Sequence, residues 1–126
     1  MSEPRWLSVS EVLQLHAMQV HKFGGATGVR DYGLLESAVM RPRQRYQYGE
    51  LRTLVEVDAA YAAALSANHA FVDGNKRVAF FALVVFLRLH GMVLKAPAEQ
   101  ATEMMLGLAA GTRSETDLRE WVARNV

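Results

Sequence analysis

Apolar residues return at helical spacing along most of this chain. Val12, Leu15, Met18 (or Gln19) and Val20 recur up to Phe23, behind Ser8-Val9-Ser10-Glu11, which places Ser and Glu as a capping box requires. Gly24-Gly25 ends that helix, and a loop from Ala26 leads to Asp31, whose side chain can cap a second one with Leu34, Leu35, Ala38 and Val39 as its apolar face. Pro42 is predicted to stop this second helix, because proline removes a helix donor and crowds the preceding turn. The run Arg41 to Gly49 has no helical period and is predicted to hold a short extended flap. Thr53 opens an Ala-rich helix through Asn68, with Val57, Ala60, Tyr61, Ala64, Leu65 and His69 near one face and small residues that allow close packing.

Val72-Asp73-Gly74 interrupts the pattern. The next helix passes Ala79, Leu83, Phe86 and Leu87 to His90, with Gly91 just beyond its end. Being apolar nearly all round, it is predicted to be the central one. Met92 to Lys95 reads as a short strand, Pro97 sits in the first turn of a helix reaching Ala110, and Gly111 ends it. Ser114-Glu115-Thr116-Asp117 resembles one more capping box, for a final helix carrying Leu118 and Trp121. No repeat, low-complexity tract or linker divides the chain. The expectation is an all-α fold, a bundle of about six helices with a short flap, residues 1–126 forming one domain.

Composition narrows the function. At 126 residues, 51% hydrophobic and 21% charged, the chain can bury enough apolar surface to offset the entropy of ordering it. With 14 Lys and Arg against 13 Asp and Glu, the net charge of +1 provides no overall field for nucleic acid or membrane, so binding must come from a local site. Cysteine is absent, which excludes disulfides and thiolate metal sites and suits reducing cytoplasm. The N-terminus lacks the basic-then-apolar order of a signal peptide, and the longest apolar run, Val78 to Leu87, is ten residues against the ~20 that cross a bilayer. A cytoplasmic location is expected, with no membrane partner.

Chemistry concentrates in His69-Ala70-Phe71-Val72-Asp73-Gly74-Asn75-Lys76-Arg77, at the junction of two apolar helices. A helix N-terminus offers unpaired N–H groups to a phosphate, and Gly74 lets the backbone approach it. Lys76 and Arg77 add positive charge, Asp73 is a hard oxygen ligand suited to Mg²⁺, and His69 can take a proton from a hydroxyl at neutral pH. Each residue alone has an ordinary explanation, as a helix cap or a solvated charge. Their combination points to phosphoryl-type transfer, which chiefly requires positioning and charge neutralisation.

The same residues resemble the Fic-domain motif HPFxxGNGR, followed three residues later by a second Arg. Ala70 replaces its Pro, Lys76 its second Gly, and Phe80 stands where the second Arg would be; these departures are the pattern of the Doc ("death on curing") branch. Gly28 to Ala38, and then Pro42, also resemble Doc proteins, so the likeness covers nearly the whole chain. It implies a Fic/Doc helical fold in which His69 is the general base and Asp73 holds Mg²⁺. It further implies that Gly74 and Asn75 form the anion-binding turn and that Arg77 is the first phosphate-binding Arg. Lys76 has no equivalent in the adenylylating members, and Phe80 removes the cation that places a distal phosphate for AMP transfer. The branch therefore implies a toxin that transfers the γ-phosphate of ATP to a threonine of elongation factor Tu, halting translation. A cognate antitoxin would lay its C-terminal segment in a groove. An AMP-transferring Fic enzyme and a non-catalytic Fic-fold binding module are the alternatives.

Other residues carry less. Arg41, Arg43, Arg45 and Tyr46 could align a target chain by strand pairing or form a solvated basic loop; four Arg through Arg52 less Glu50 leave +3 locally. No base-reading motif accompanies them, so no direct nucleic-acid binding is expected. His16, His21 and His90 lie in helical segments without a second ligand at metal spacing and read as core or surface histidines. Met104, Met105 and Leu106 read as packing residues. Thr116 to Trp121 nearly matches the inhibitory [ST]xxxE[GN] motif of Fic proteins, but Trp121 breaks it and Phe80 removes the partner of Glu120.

Overall fold

The computed structural model describes residues 3–126. Six helices follow in order: α1 (Val9–Phe23), α2 (Tyr32–Gln47), α3 (Leu54–Asn68), α4 (Asn75–Leu89), α5 (Ala98–Ala110) and α6 (Glu115–Arg124). Side-chain capping accounts for where four of them start. Ser8, Thr53 and Ser114 each close a capping box, with Glu11, Glu56 and Asp117 reaching back, and the Asp31 carboxylate accepts from the Leu34 N–H. Gly111, at φ 80°, ends α5. Among the described residues no helix is long and apolar enough to cross a membrane.

α3 is the central helix. Every residue from Val57 to Ala62 is buried, and α3 packs against α2, α4, α5 and α6. Its alanines let four neighbours approach at once. α4, predicted for that place, instead keeps Phe80, Phe81, Val84 and Val85 only partly covered on one side. Trp121, Leu118 and Val122 of α6 complete the core. Tyr61 lies wholly inside, its hydroxyl accepting from the Leu7 N–H at 2.9 Å, and burial pushes its phenol up to about 12.

Three further expectations fail. α2 does not stop at Pro42 but runs through it to Gln47, and the extended flap over Arg41 to Gly49 does not form. Pro42 is buried, so its ring gains packing that offsets the lost bond to Ala38, and the last turns are tied down by Arg45, which pairs with Glu115 of α6 at 2.9 Å and with Glu50 at 3.1 Å. Met92 to Lys95 forms no strand; the Lys95 N–H donates to the carbonyl of Asn125 at 2.6 Å, an isolated tie to the C-terminal end. The one extended pairing among the described residues is a single antiparallel bridge between Val29 and Phe71.

Candidate active site at the start of α4

α3 ends at His69, which has φ 49° and ψ 45° and is exposed. The next residues are held by the loop before α2. Ala70 O accepts from Arg30 N–H at 2.8 Å and Asp31 N–H at 3.1 Å, Gly28 O accepts from Val72 N–H at 3.1 Å, and Arg30 Nε donates to His69 O at 2.8 Å. The Asn75 side chain then closes the turn on itself: Oδ1 accepts from Phe71 N–H and Nδ2 donates to Phe71 O, each at 3.0 Å.

Gly74 is the N-cap of α4, at φ 77°, and no side chain caps this helix. The first bond into the helix runs from Val78 N–H to Gly74 O at 3.0 Å, so the N–H groups of Asn75, Lys76 and Arg77 precede any intrahelical acceptor. Asp73 lies across this end. Its Oδ1 accepts from Gly74 N–H at 2.8 Å, and its Oδ2 from Ala26 N–H at 3.3 Å. The glycine after α1 is needed here, because a Cβ on Gly25 would stand 2.7 Å from Asp73 Oδ2. Arg77 places its guanidinium over the Phe23 ring at 4.9 Å, and that ring leans on Phe81 at 6.0 Å.

A cavity of about 330 Å³ lies between Phe23–Gly25 and Asp73–Arg77. The structure thus brings together Asp73, Gly74, Asn75, Lys76 and Arg77, while His69 stands outside the lining, at the preceding turn. Lys76 and Arg77 also border a second groove of about 520 Å³, in which Phe80 and Val84 face Ala101, Met105 and Leu106 of α5. The described residues contain no cluster of three or more His, Asp or Glu side chains. A cation here would have one protein carboxylate, Asp73, which suits a metal that keeps waters and phosphate oxygens as its other ligands.

His16 is a core histidine, within the expectation from sequence, and it backs the turn that forms this cavity. It is 4% exposed, its Nε2 lies 2.7 Å from the carbonyl oxygen of Asp73, and its ring stacks on Phe71 at 3.8 Å and 7°. A carbonyl only accepts, so Nε2 carries the hydrogen. Gln19, one turn on, is wholly buried against Gly74, where a Cβ would collide with its amide. Two polar residues on the apolar face of α1 were the available signal. His90 is structural: its Nδ1 donates to Phe86 O at 2.8 Å and its Nε2 accepts from Arg5 N–H at 2.9 Å. Met104 and Met105 are buried as expected, whereas Leu106 is exposed.

Known proteins place this geometry. The family model described as the Fic/DOC family matches residues 6–87. The protein kinase doc of Escherichia phage P1 is 32% identical over 120 residues, covering 95% of this chain and 94% of that protein. The toxin Doc of Mycolicibacterium smegmatis is 43% identical over 86 residues, covering 66% of each. With the family model spanning the Asp73–Arg77 turn and relatives that carry the Doc name, this chain belongs to the Fic/DOC family, on its Doc branch.

Proposed function

We propose that this protein is the toxin of a toxin–antitoxin pair and a cytoplasmic protein kinase. It would move the γ-phosphate of ATP to a serine or threonine hydroxyl, the acceptor being a threonine of elongation factor Tu, and so stop translation. The observation that carries this reading is the pair of side chains at the mouth of the anion-binding turn. Lys76 borders both cavities, and Phe80 brings an apolar ring to the groove where an AMP-transferring Fic enzyme carries its second Arg. A long cation obstructs the cradle for an α-phosphate, and an apolar ring offers nothing to the distal phosphates. A reversed nucleotide, with its γ-phosphate toward His69, suits both. The relative from phage P1 bears the name of a kinase.

The roles follow from the chemistry of each group. His69, exposed at its turn, takes the proton of the acceptor hydroxyl onto its imidazole. The hydroxyl oxygen bonds to the γ-phosphorus as the bond to the β–γ bridging oxygen breaks, and ADP leaves. Lys76 steadies the transferring group as a point charge. Arg77 and the free N–H groups of α4 hold the remaining phosphates, with Gly74 and Asn75 shaping the turn. The Asp73 carboxylate, engaged among the described residues by two backbone N–H groups alone, fits Mg²⁺, which when bound would neutralise phosphate charge. The proposed partner is a cognate antitoxin whose C-terminal segment lies in a groove of the toxin, and the apolar lining between α4 and α5 suits such a segment.

Purified protein with Mg²⁺, ATP and a bacterial lysate, followed by mass spectrometry, tests the reading. The expected product is one phosphate on a Thr or Ser, lost in His69→Ala by about 10²- to 10⁴-fold in rate. Transfer of AMP refutes it. Lys76→Gly should slow the transfer, and an unchanged rate removes the reason for preferring a kinase.

A further inference from the structure

The peptide between Asp73 and Gly74 is a planar trans unit, so its C=O and N–H point in opposite directions. The direction of one fixes the other. On one side the carbonyl meets His16 Nε2 at 2.7 Å; on the other the Gly74 N–H faces the Asp73 carboxylate at 2.8 Å, beside the 330 Å³ cavity. A flipped peptide would turn a carbonyl oxygen, rather than a donor, toward an incoming phosphate. Within the turn the Asp73 carboxylate holds only the N–H side of this peptide, and glycine itself accepts the conformation before and after a flip. A hold on the carbonyl must come from outside the turn.

We propose that His16 is a positioning residue that holds the Asp73–Gly74 peptide in its anion-binding orientation. The ring cannot rotate away, because it is buried and stacked on Phe71, whose own N–H and C=O are both bound by Asn75. Gln19, on the same face of α1 one turn later, fills the space behind Gly74 and bars the turn from shifting that way. α1 thereby sets the direction of the Gly74 N–H, and with it the Asp73 carboxylate that this N–H engages. The inference rests on the reading of Asp73–Arg77 as a Mg²⁺–nucleotide site.

The test compares His16→Phe, which keeps a stacked ring without the donor, with His16→Gln, which returns an N–H near the position of Nε2. Loss of a partner that orients a ligating turn costs about 10- to 100-fold in affinity. His16→Phe should melt close to wild type yet bind Mg²⁺–ATP weaker by that factor in calorimetry, with KM rising more than kcat falls. The ¹⁵N–¹H resonance of Gly74 should move, and His16→Gln should restore both affinity and resonance. Wild-type Mg²⁺–ATP affinity in His16→Phe with an unmoved Gly74 resonance overturns the inference. If His16→Phe does not fold, His16→Gln against His16→Met, equal in length and differing in the donor, makes the same comparison: tighter binding by the Gln variant supports the lock, and equal binding overturns it. His69→Ala separates the two readings. Phosphate transfer that survives His69→Ala sinks the catalytic assignment, while the Gly74 resonance and Mg²⁺–ATP affinity still decide the role of His16.

Discussion

Asp58 sits in the middle of α3, wholly buried, and neither carboxylate oxygen has a hydrogen-bond partner among the described residues. Burial pushes its carboxyl well above the usual carboxylate range, so between the unfolded and the folded values the native state holds a proton that the unfolded chain has lost. The sign follows from linkage. Above an unfolded value of about 4 the native state holds one more proton, so stability falls by about 1.4 kcal/mol for each pH unit until the folded group also ionises. Glu11, Glu56 and Asp117 act the other way, being lowered by their hydrogen bonds and neighbouring arginines, and their contribution is lost only as pH falls below about 4.5. Asp58→Asn removes the titrating group and leaves a neutral amide of nearly the same shape. Its own unpartnered atoms cost about the same at every pH, so they add an offset and no slope. The difference in stability between Asp58→Asn and wild type should therefore grow in favour of the variant as pH rises above the unfolded carboxyl's range, by at most about 1.4 kcal/mol per pH unit, and level off where the folded carboxyl ionises. In urea unfolding that is a midpoint shift of roughly 0.5 to 1.4 M per unit, with groups common to both proteins cancelling in the subtraction. Urea curves at pH 5, 6 and 7 whose separation stays constant would show that the native carboxyl is ionised and satisfied, and would refute the reasoning.

Asp73→Asn keeps the shape of the turn but removes the charge that faces the start of α4; calorimetry should find the Mg²⁺ dependence of ATP binding weakened, and an unaltered dependence excludes Asp73 as the metal ligand. Tyr61→Phe leaves the buried Leu7 N–H without its acceptor and should lower stability by about 1 to 3 kcal/mol in chemical unfolding, with the pH dependence near neutrality unchanged because the phenol is pushed up to about 12.

Local signals carried the helices. Ser8, Asp31, Thr53 and Ser114 each start the helix they were expected to start, because capping is settled by residues three apart, and the turn from Asp73 to Arg77 was legible for the same reason. Errors came where a distant partner decides. Pro42 reads as a stop until Arg45 is seen bound to Glu115, seventy residues away, and α4 reads as central until α3 is found among four neighbours. His16 illustrates the same limit at the site, since its partner is 57 residues along the chain and a carbonyl leaves no mark in a side-chain pattern.

His69 is the one non-glycine residue with a positive φ among those described, at 49°. A β-carbon in that conformation costs about 1 to 2 kcal/mol, and glycine in the same place escapes the clash. The fold alone would therefore be better served by a glycine at the end of α3. Keeping an imidazole there makes the protein less stable than its own backbone permits, and under the proposed role of His69 as general base that is a trade of stability for reactivity concentrated in a single residue. Stabilising substitutions at this turn should be easy to find, and if His69 acts as proposed they are the ones that leave the protein folded and inert.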